Sequence, residues 1–202
     1  MTEPSWLPEG AGAHDVTLEE NWLFRLRRER FRSRASGRSH DYYVLRLADA
    51  VHVIALTEDD QVVLVRQFRA GSGRDSLEPP GGLLDDGEDP RTAGTRELLE
   101  EAGYAGDPAV LLGNVWSVPS ILGSRIATVV VTNARKVAEP NLDAAEEVVV
   151  ELVRASSIPS LILEGRIDHG LAVLSLFWWL ATRPGGLALP VPATSAGSRE
   201  RR

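Results

Sequence analysis

The 202-residue chain has no cysteine, one methionine and one lysine, Lys136. Without cysteine there is no disulfide and no zinc site built on thiolates. No apolar run reaches the about 18 residues that a membrane helix needs. The opening residues MTEPSWLPEG lack the basic start and apolar stretch of a secretion signal, so a cytoplasmic location and no membrane partner are expected. The formal net charge of −7 argues against tracking a phosphate backbone, and no nucleic-acid partner is expected. What is present is 43% hydrophobic and 25% charged residues, which suits one globular domain with an appendage.

No internal repeat is visible. Residues 1–14 are rich in Pro and Gly and read as loose, and residues 185–202 lack periodicity and read as a disordered tail. Trp22 to Arg27 alternates apolar and basic residues like a half-buried strand, Gly37 marks a turn, and Tyr42 to Leu47 returns. This antiparallel pair sets off residues 1–46 as an N-terminal β extension, a candidate exchange or dimerisation element, ahead of a main domain over 47–184. There, Val51–Leu56 and Val62–Val65 are continuous apolar runs and predict central strands. Strands are also expected near Ile126–Thr132 and Val148–Val153. A last helix is expected over Leu171–Thr182, capped by Asp168, with Leu171, Leu174, Leu176, Phe177 and Trp178 in the core and Pro184-Gly185-Gly186 ending it. Strands and helices mix without regular alternation, which predicts an α+β fold, an α/β/α sandwich around a mixed sheet.

The densest chemical signal lies between Gly82 and Tyr104. Asp89 suits an N-cap, Pro90 the first helical position and Gly103 a C-cap, so a helix is predicted between them. Glu97, Glu100 and Glu101 then fall at spacings of three and four, on one helix face. Carboxylates stacked this way repel one another unless they hold a cation. A ligand set of oxygens alone points to a hard ion, Mg²⁺ or Mn²⁺, that also bridges phosphates. Gly94, inside the helix, costs about 1 kcal/mol relative to Ala, so a close packing contact is expected there.

The same stretch resembles the Nudix hydrolase box: Gly82, Glu88, Arg96-Glu97, Leu98, Glu100-Glu101, Gly103 and a hydrophobic Tyr104, every fixed position filled. The resemblance implies hydrolysis of a nucleoside diphosphate linked to another group. By motif position, Glu97, Glu100, Glu101 and the Gly81 carbonyl would ligate metal, while Glu88 and Arg96 would orient the ligand shell. The surroundings, Arg66-Gln67-Phe68-Arg69 with Leu77-Glu78-Pro79-Pro80-Gly81-Gly82 and then Pro119, are similar to the ADP-ribose and nucleotide-sugar pyrophosphatase group. The expectation is therefore a Mg²⁺-dependent pyrophosphatase that acts on a small nucleotide substrate and forms a homodimer, as the group often does.

Arg69, Glu78, Pro119 and Arg125 are the candidate substrate residues. Arg69 is read either as a bidentate phosphate contact or as a structural ion pair, and Glu78 as site or scaffold. Ser124 stands where the group's pattern has an acid, which widens the expected range beyond ADP-ribose. The late-loop acids Glu146 and Glu147 are the candidates for general base, against an acidic loop that merely precedes a strand. The seven arginines from Arg25 to Arg38 read as the solvated face of strands, and Trp22, Tyr42 and Tyr43 as packing residues that have a stacking alternative. His52 and His169 read as structural. Two other functions stand beside the leading one: a house-cleaning nucleoside triphosphate or dinucleoside polyphosphate hydrolase, and a catalytically inactive ligand sensor.

Overall fold

A computed structural model describes residues 3–10, 15–142 and 147–183. The N-terminal strands are β1 (Trp6–Pro8), β2 (Val16–Glu20), β3 (Arg25–Ser33) and β4 (Ser39–Arg46). They form one antiparallel sheet in which β3 pairs with all three others. Residues 6–8 are thus an ordered strand, not part of a loose leader: Trp6 pairs with Ser33, and its ring meets Tyr42 edge-on. Trp22 lies outside the strands, on the turn joining β2 to β3. That turn is fixed by the Asn21 side-chain oxygen, which accepts from the amides of Leu23 and Phe24.

The main domain follows with β5 (Ala50–Leu56), β6 (Gln61–Arg69), β7 (Arg74–Glu78), α1 (Pro90–Ala102), β8 (Tyr104–Ala105), β9 (Val110–Trp116), β10 (Arg125–Val131), β11 (Arg135–Lys136), β12 (Val148–Arg154), α2 (Ile158–Leu163) and α3 (Gly170–Thr182). The central sheet has the order β12-β6-β5-β10-β9, with β7 also on β6. Only the β10–β5 ladder is parallel, so the sheet is mixed. The continuous apolar runs of β5 and β6 explain their central place: both strand faces are buried. Val51, Val53, Val63 and Val65 pack against Ala93, Leu98 and Ala102 of α1. Ile54, Val62 and Leu64 pack against Ile158 and Leu161 of α2 and Leu176 and Trp179 of α3. The α/β/α sandwich follows from that two-sided burial.

Two sequence expectations for α3 change. Its N-cap is His169, whose Nδ1 accepts from the amide of Ala172, while Asp168 turns away to pair with Arg74. The helix phase buries Trp179 and Leu180, leaving Leu174 exposed and Trp178 half-buried against Gly113. The helix ends at Thr182; Pro184–Gly186 and the tail lie outside the described residues. No helix among the described residues is long and apolar enough to cross a membrane.

The sequence also gave little warning of β9 and α2. Among the described residues, neither core cluster includes a side chain before Val51. The N-terminal sheet is tied to the main domain along the β4 edge, where Leu45 exchanges backbone bonds with Ile121 and Gly123.

Candidate active site

The site is assembled by a loop and a helix that meet beside β5. Residues 80–82 run along β5, with the amides of Val53 and Val51 donating to the carbonyls of Pro80 and Gly82. At Gly81 a Cβ would lie 2.0 Å from the Val51 carbonyl oxygen, and at Gly82 it would lie 2.4 Å from Glu97 Oε1. Only glycine lets the loop come this close to strand and helix together. The helix is set by its ends: Asp89 accepts from the Arg91 amide, and Gly103 (φ 71°) closes the last turn in the left-handed conformation. Gly94 fits the same pattern, since a Cβ there would meet Val129 Cγ2 at 2.5 Å.

Of the three carboxylates expected on one face, Glu97 and Glu101 line a cleft of about 670 Å³, with Gly81 and Gly82. Glu101 is 4% exposed, and its Oε2 accepts from the Gly81 amide at 2.8 Å. Glu100 is half exposed and turns to Arg96 Nη1 at 3.1 Å. Arg96 is the hub of the acids. Its Nη1 also donates to Glu97 Oε1 at 2.8 Å, its Nε and Nη2 to Glu88, and Nη2 to the Leu83 carbonyl. The hydrogen bonds to Glu88, followed by those to Glu97 and Glu100, raise the guanidinium pKa against the opposing effect of burial. In return Arg96 holds the Glu88 carboxyl below the usual range. Glu97 and Glu101 thus present buried oxygens beside the backbone of Gly81, a donor set that fits a hard divalent cation.

A second group of side chains faces the same cleft: Gln67, Arg69, His52, His169 and Leu171. Arg69 Nε and Nη2 donate to the two oxygens of Glu78, each at 3.0 Å, and Glu78 is fully buried. Burial, the largest single effect, works to raise the Glu78 pKa, but the hydrogen bond and charge of Arg69, together with Ser76 and His169, leave it below the ordinary value. His52, Glu78 and His169 lie close enough together to resemble a metal-binding trio. Several of their atoms also have other partners: His52 Nδ1 meets Ser175 Oγ at 3.1 Å, both Glu78 oxygens accept from Arg69, and His169 Nδ1 accepts from the Ala172 amide while lying 3.4 Å from Glu78 Oε2. Burial pushes the His52 pKa down to about 4, so it is a neutral wall residue.

The remaining candidates are dispersed. Pro119 lines a separate apolar cavity of about 420 Å³ with Trp6, Phe31 and Tyr42. Arg125 lies over the Trp116 ring and bonds Asn114, outside the cleft lining. Glu146 lies outside the described residues, and Glu147 is exposed just before β12. Trp22, 91% exposed, and Leu23 line the cleft, as does Gln67; sequence reasoning assigned no role to Leu23 or Gln67. The available signal for Gln67 was strand alternation, which puts it on the same side of β6 as Arg69. Six of the seven arginines pair with Asp or Glu: Arg25, Arg27, Arg28, Arg30, Arg32 and Arg34. They are a compensated surface.

The site thus sits in an α/β/α sandwich whose carboxylate helix packs on a diglycine loop. The NUDIX domain model matches residues 46–171, and the chain belongs to that family. It is 27% identical over 159 residues to the ADP-ribose pyrophosphatase of Mycobacterium tuberculosis, covering 78% of this chain and 76% of that protein. It is 40% identical over 89 residues to the ADP-sugar pyrophosphatase of Mus musculus, covering 42% and 41%. It is 41% identical over 69 residues to the methanol dehydrogenase activator of Bacillus methanolicus, covering 34% and 37%. The chain therefore spans less than half the length of these last two relatives. A crystal structure described as an ADP compounds hydrolase superposes with a TM-score of 0.76 at 21% identity, covering 89% of this chain and 96% of that one, a likeness of fold.

Proposed function

We propose that this chain is a Mg²⁺-dependent pyrophosphatase of ADP-ribose or a related nucleoside diphosphate sugar, releasing a nucleoside monophosphate and a sugar phosphate. The observation that carries this is the convergence of Glu97, Glu101 and the Gly81–Gly82 backbone on one cleft, with Arg96 tying the acids together. Glu97, Glu101 and the Gly81 carbonyl would hold the ion, with Glu100 joining directly or through water. The ion, when bound, supplies charge neutralisation on the diphosphate and a more acidic water. Arg96 orients Glu97 and Glu88 and holds the Glu88 carboxyl below its usual range, and Glu101 fixes the Gly81 peptide through its amide. A late-loop acid, Glu146 or Glu147, takes the proton of the attacking water as the P–O–P bond breaks; Glu147 adjoins Val148, which pairs with Gln67 across β6.

Arg69, with Glu78 behind it, belongs to the substrate wall. Pro119 and Arg125 lie outside the lining of the same chain's cleft. The names of the relatives support the nucleotide-sugar reading. A homodimer built on the N-terminal sheet is part of the proposal, because that sheet contributes nothing to either core of its own chain.

The test is product analysis with Mg²⁺ and three substrates: ADP-ribose, GDP-mannose and 8-oxo-dGTP. Release of nucleoside monophosphate and sugar phosphate from a diphosphate sugar is expected. Activity on 8-oxo-dGTP alone would favour a house-cleaning triphosphatase, and inactivity on all three a ligand sensor.

A further inference from the structure

The two groups of side chains lining the cleft differ in charge. The first, Glu97 and Glu101, is anionic. In the second, the Arg69 cation is matched by the buried Glu78 anion. His52 Nδ1 faces Ser175 Oγ, and His169 Nδ1 lies 3.3 Å from the Ala172 amide and 3.4 Å from Glu78 Oε2. The one arginine of this group is therefore already matched by a carboxylate.

Within it, Gln67 has an unmet need. Its Nε2 is buried and makes no hydrogen bond. Its cross-strand neighbours do not pair with it: Ser76 Oγ on β7 is itself buried without a hydrogen bond, and Val148 on β12 has an apolar side chain. A buried amide donor left unpaired costs about 1–3 kcal/mol, and such groups are few in folded proteins. Packing does not account for the amide: Val65, two residues earlier on β6, is in the core, whereas Gln67 is only partly buried and borders the cleft beside Arg69.

Resting on the nucleoside diphosphate sugar reading, we propose that Gln67 is a specificity residue for the sugar half of the substrate, its Nε2 donating to a sugar hydroxyl oxygen beside the Arg69–Glu78 pair. A carboxamide both donates and accepts, as hydroxyls do, whereas a phosphate only accepts and would be better served by an uncompensated cation. The metal-bound diphosphate then occupies the acidic group, and the uncharged, hydroxylated part of the molecule lies along β6.

The experiment compares the wild-type full chain with Gln67→Leu, in Mg²⁺, on ADP-ribose and on the ethyl ester of ADP, which keeps the diphosphate linkage without the sugar. Thermal melting is recorded alongside. The variant's kcat/KM for ADP-ribose is expected to fall about 10–30-fold, while its preference for ADP-ribose over the ester shrinks about tenfold. The melting temperature is expected to hold or rise, since an unpaired buried donor has been removed. Equal loss on both substrates would overturn the proposal by moving Gln67 to the diphosphate or the scaffold. An unchanged preference would overturn it too, whatever the melting temperature. A wild-type chain inactive on both substrates would instead overturn the underlying functional reading.

Discussion

Gly81 and Gly82 are adjacent in sequence yet constrained by different neighbours. A methyl group on Gly81 meets the Val51 backbone, which cannot yield without breaking the β5 contact. A methyl group on Gly82 meets the Glu97 carboxylate, the far end of a side chain that can swing. Gly81→Ala is thus expected to destabilise the fold by about 3 kcal/mol in denaturant titrations. Gly82→Ala should fold and lose about 10–100-fold in activity through a displaced Glu97, with Mg²⁺ dependence shifted to higher concentration. His52 gives a pH prediction. Its pKa is depressed from 6.5 to about 4 by burial, so between these values the unfolded chain takes up a proton that the folded chain refuses. Stability is therefore full above pH 6.5 and falls as pH drops toward 4, by on the order of 3 kcal/mol. Melting temperatures across pH 7 to 4 should show this slope in the wild type and a flatter one in His52→Gln. Glu97 and Glu101 were legible because helical spacing alone brings them together, whereas Glu100 turns to Arg96 instead of lining the cleft. The pairing of Arg69 with Glu78 was open in the sequence, since the same guanidinium geometry serves a carboxylate or a phosphate. Glu101 anchoring the Gly81 amide was not legible, because it joins residues 20 apart.

At the scale of the element, α1 was readable from its caps and α3 was not readable in phase. Asp89, Pro90 and Gly103 act locally, and the helix runs between them. In α3, nearly every residue is apolar, so periodicity could not say which of Trp178 and Trp179 turns inward; contact with α2 and the sheet decides it. β1 escaped notice because three residues hold no pattern and owe their place to pairing with β3. Gly94 provides the sharpest test of an element placed by its packing. Helix propensity says that Gly94→Ala should gain about 1 kcal/mol. The 2.5 Å approach to Val129 says the reverse, and a net loss of about 1–2 kcal/mol in chemical denaturation is expected. Stabilisation would mean that α1 lies further from β10 than described.

The described residues include a two-layered core over residues 51–180 and a four-stranded sheet outside it. A sheet that small needs a covered face, and among its residues Leu7, Leu18 and Tyr43 remain exposed. Pairing with a second copy would cover it. Sedimentation of the full chain is expected to give twice the mass of one chain, and a monomer at micromolar concentration would contradict the dimer. The central claim concerns the cleft: that Glu101 and Glu97 hold the ion on which cleavage of a nucleoside diphosphate sugar depends. The most direct measurement is turnover of ADP-ribose against Mg²⁺ concentration for the wild type and Glu101→Gln, a change that keeps the acceptor for the Gly81 amide and removes the charge. A fall of about a thousandfold in kcat with an unchanged circular dichroism spectrum is predicted. Turnover by the variant at the wild-type rate would contradict the account.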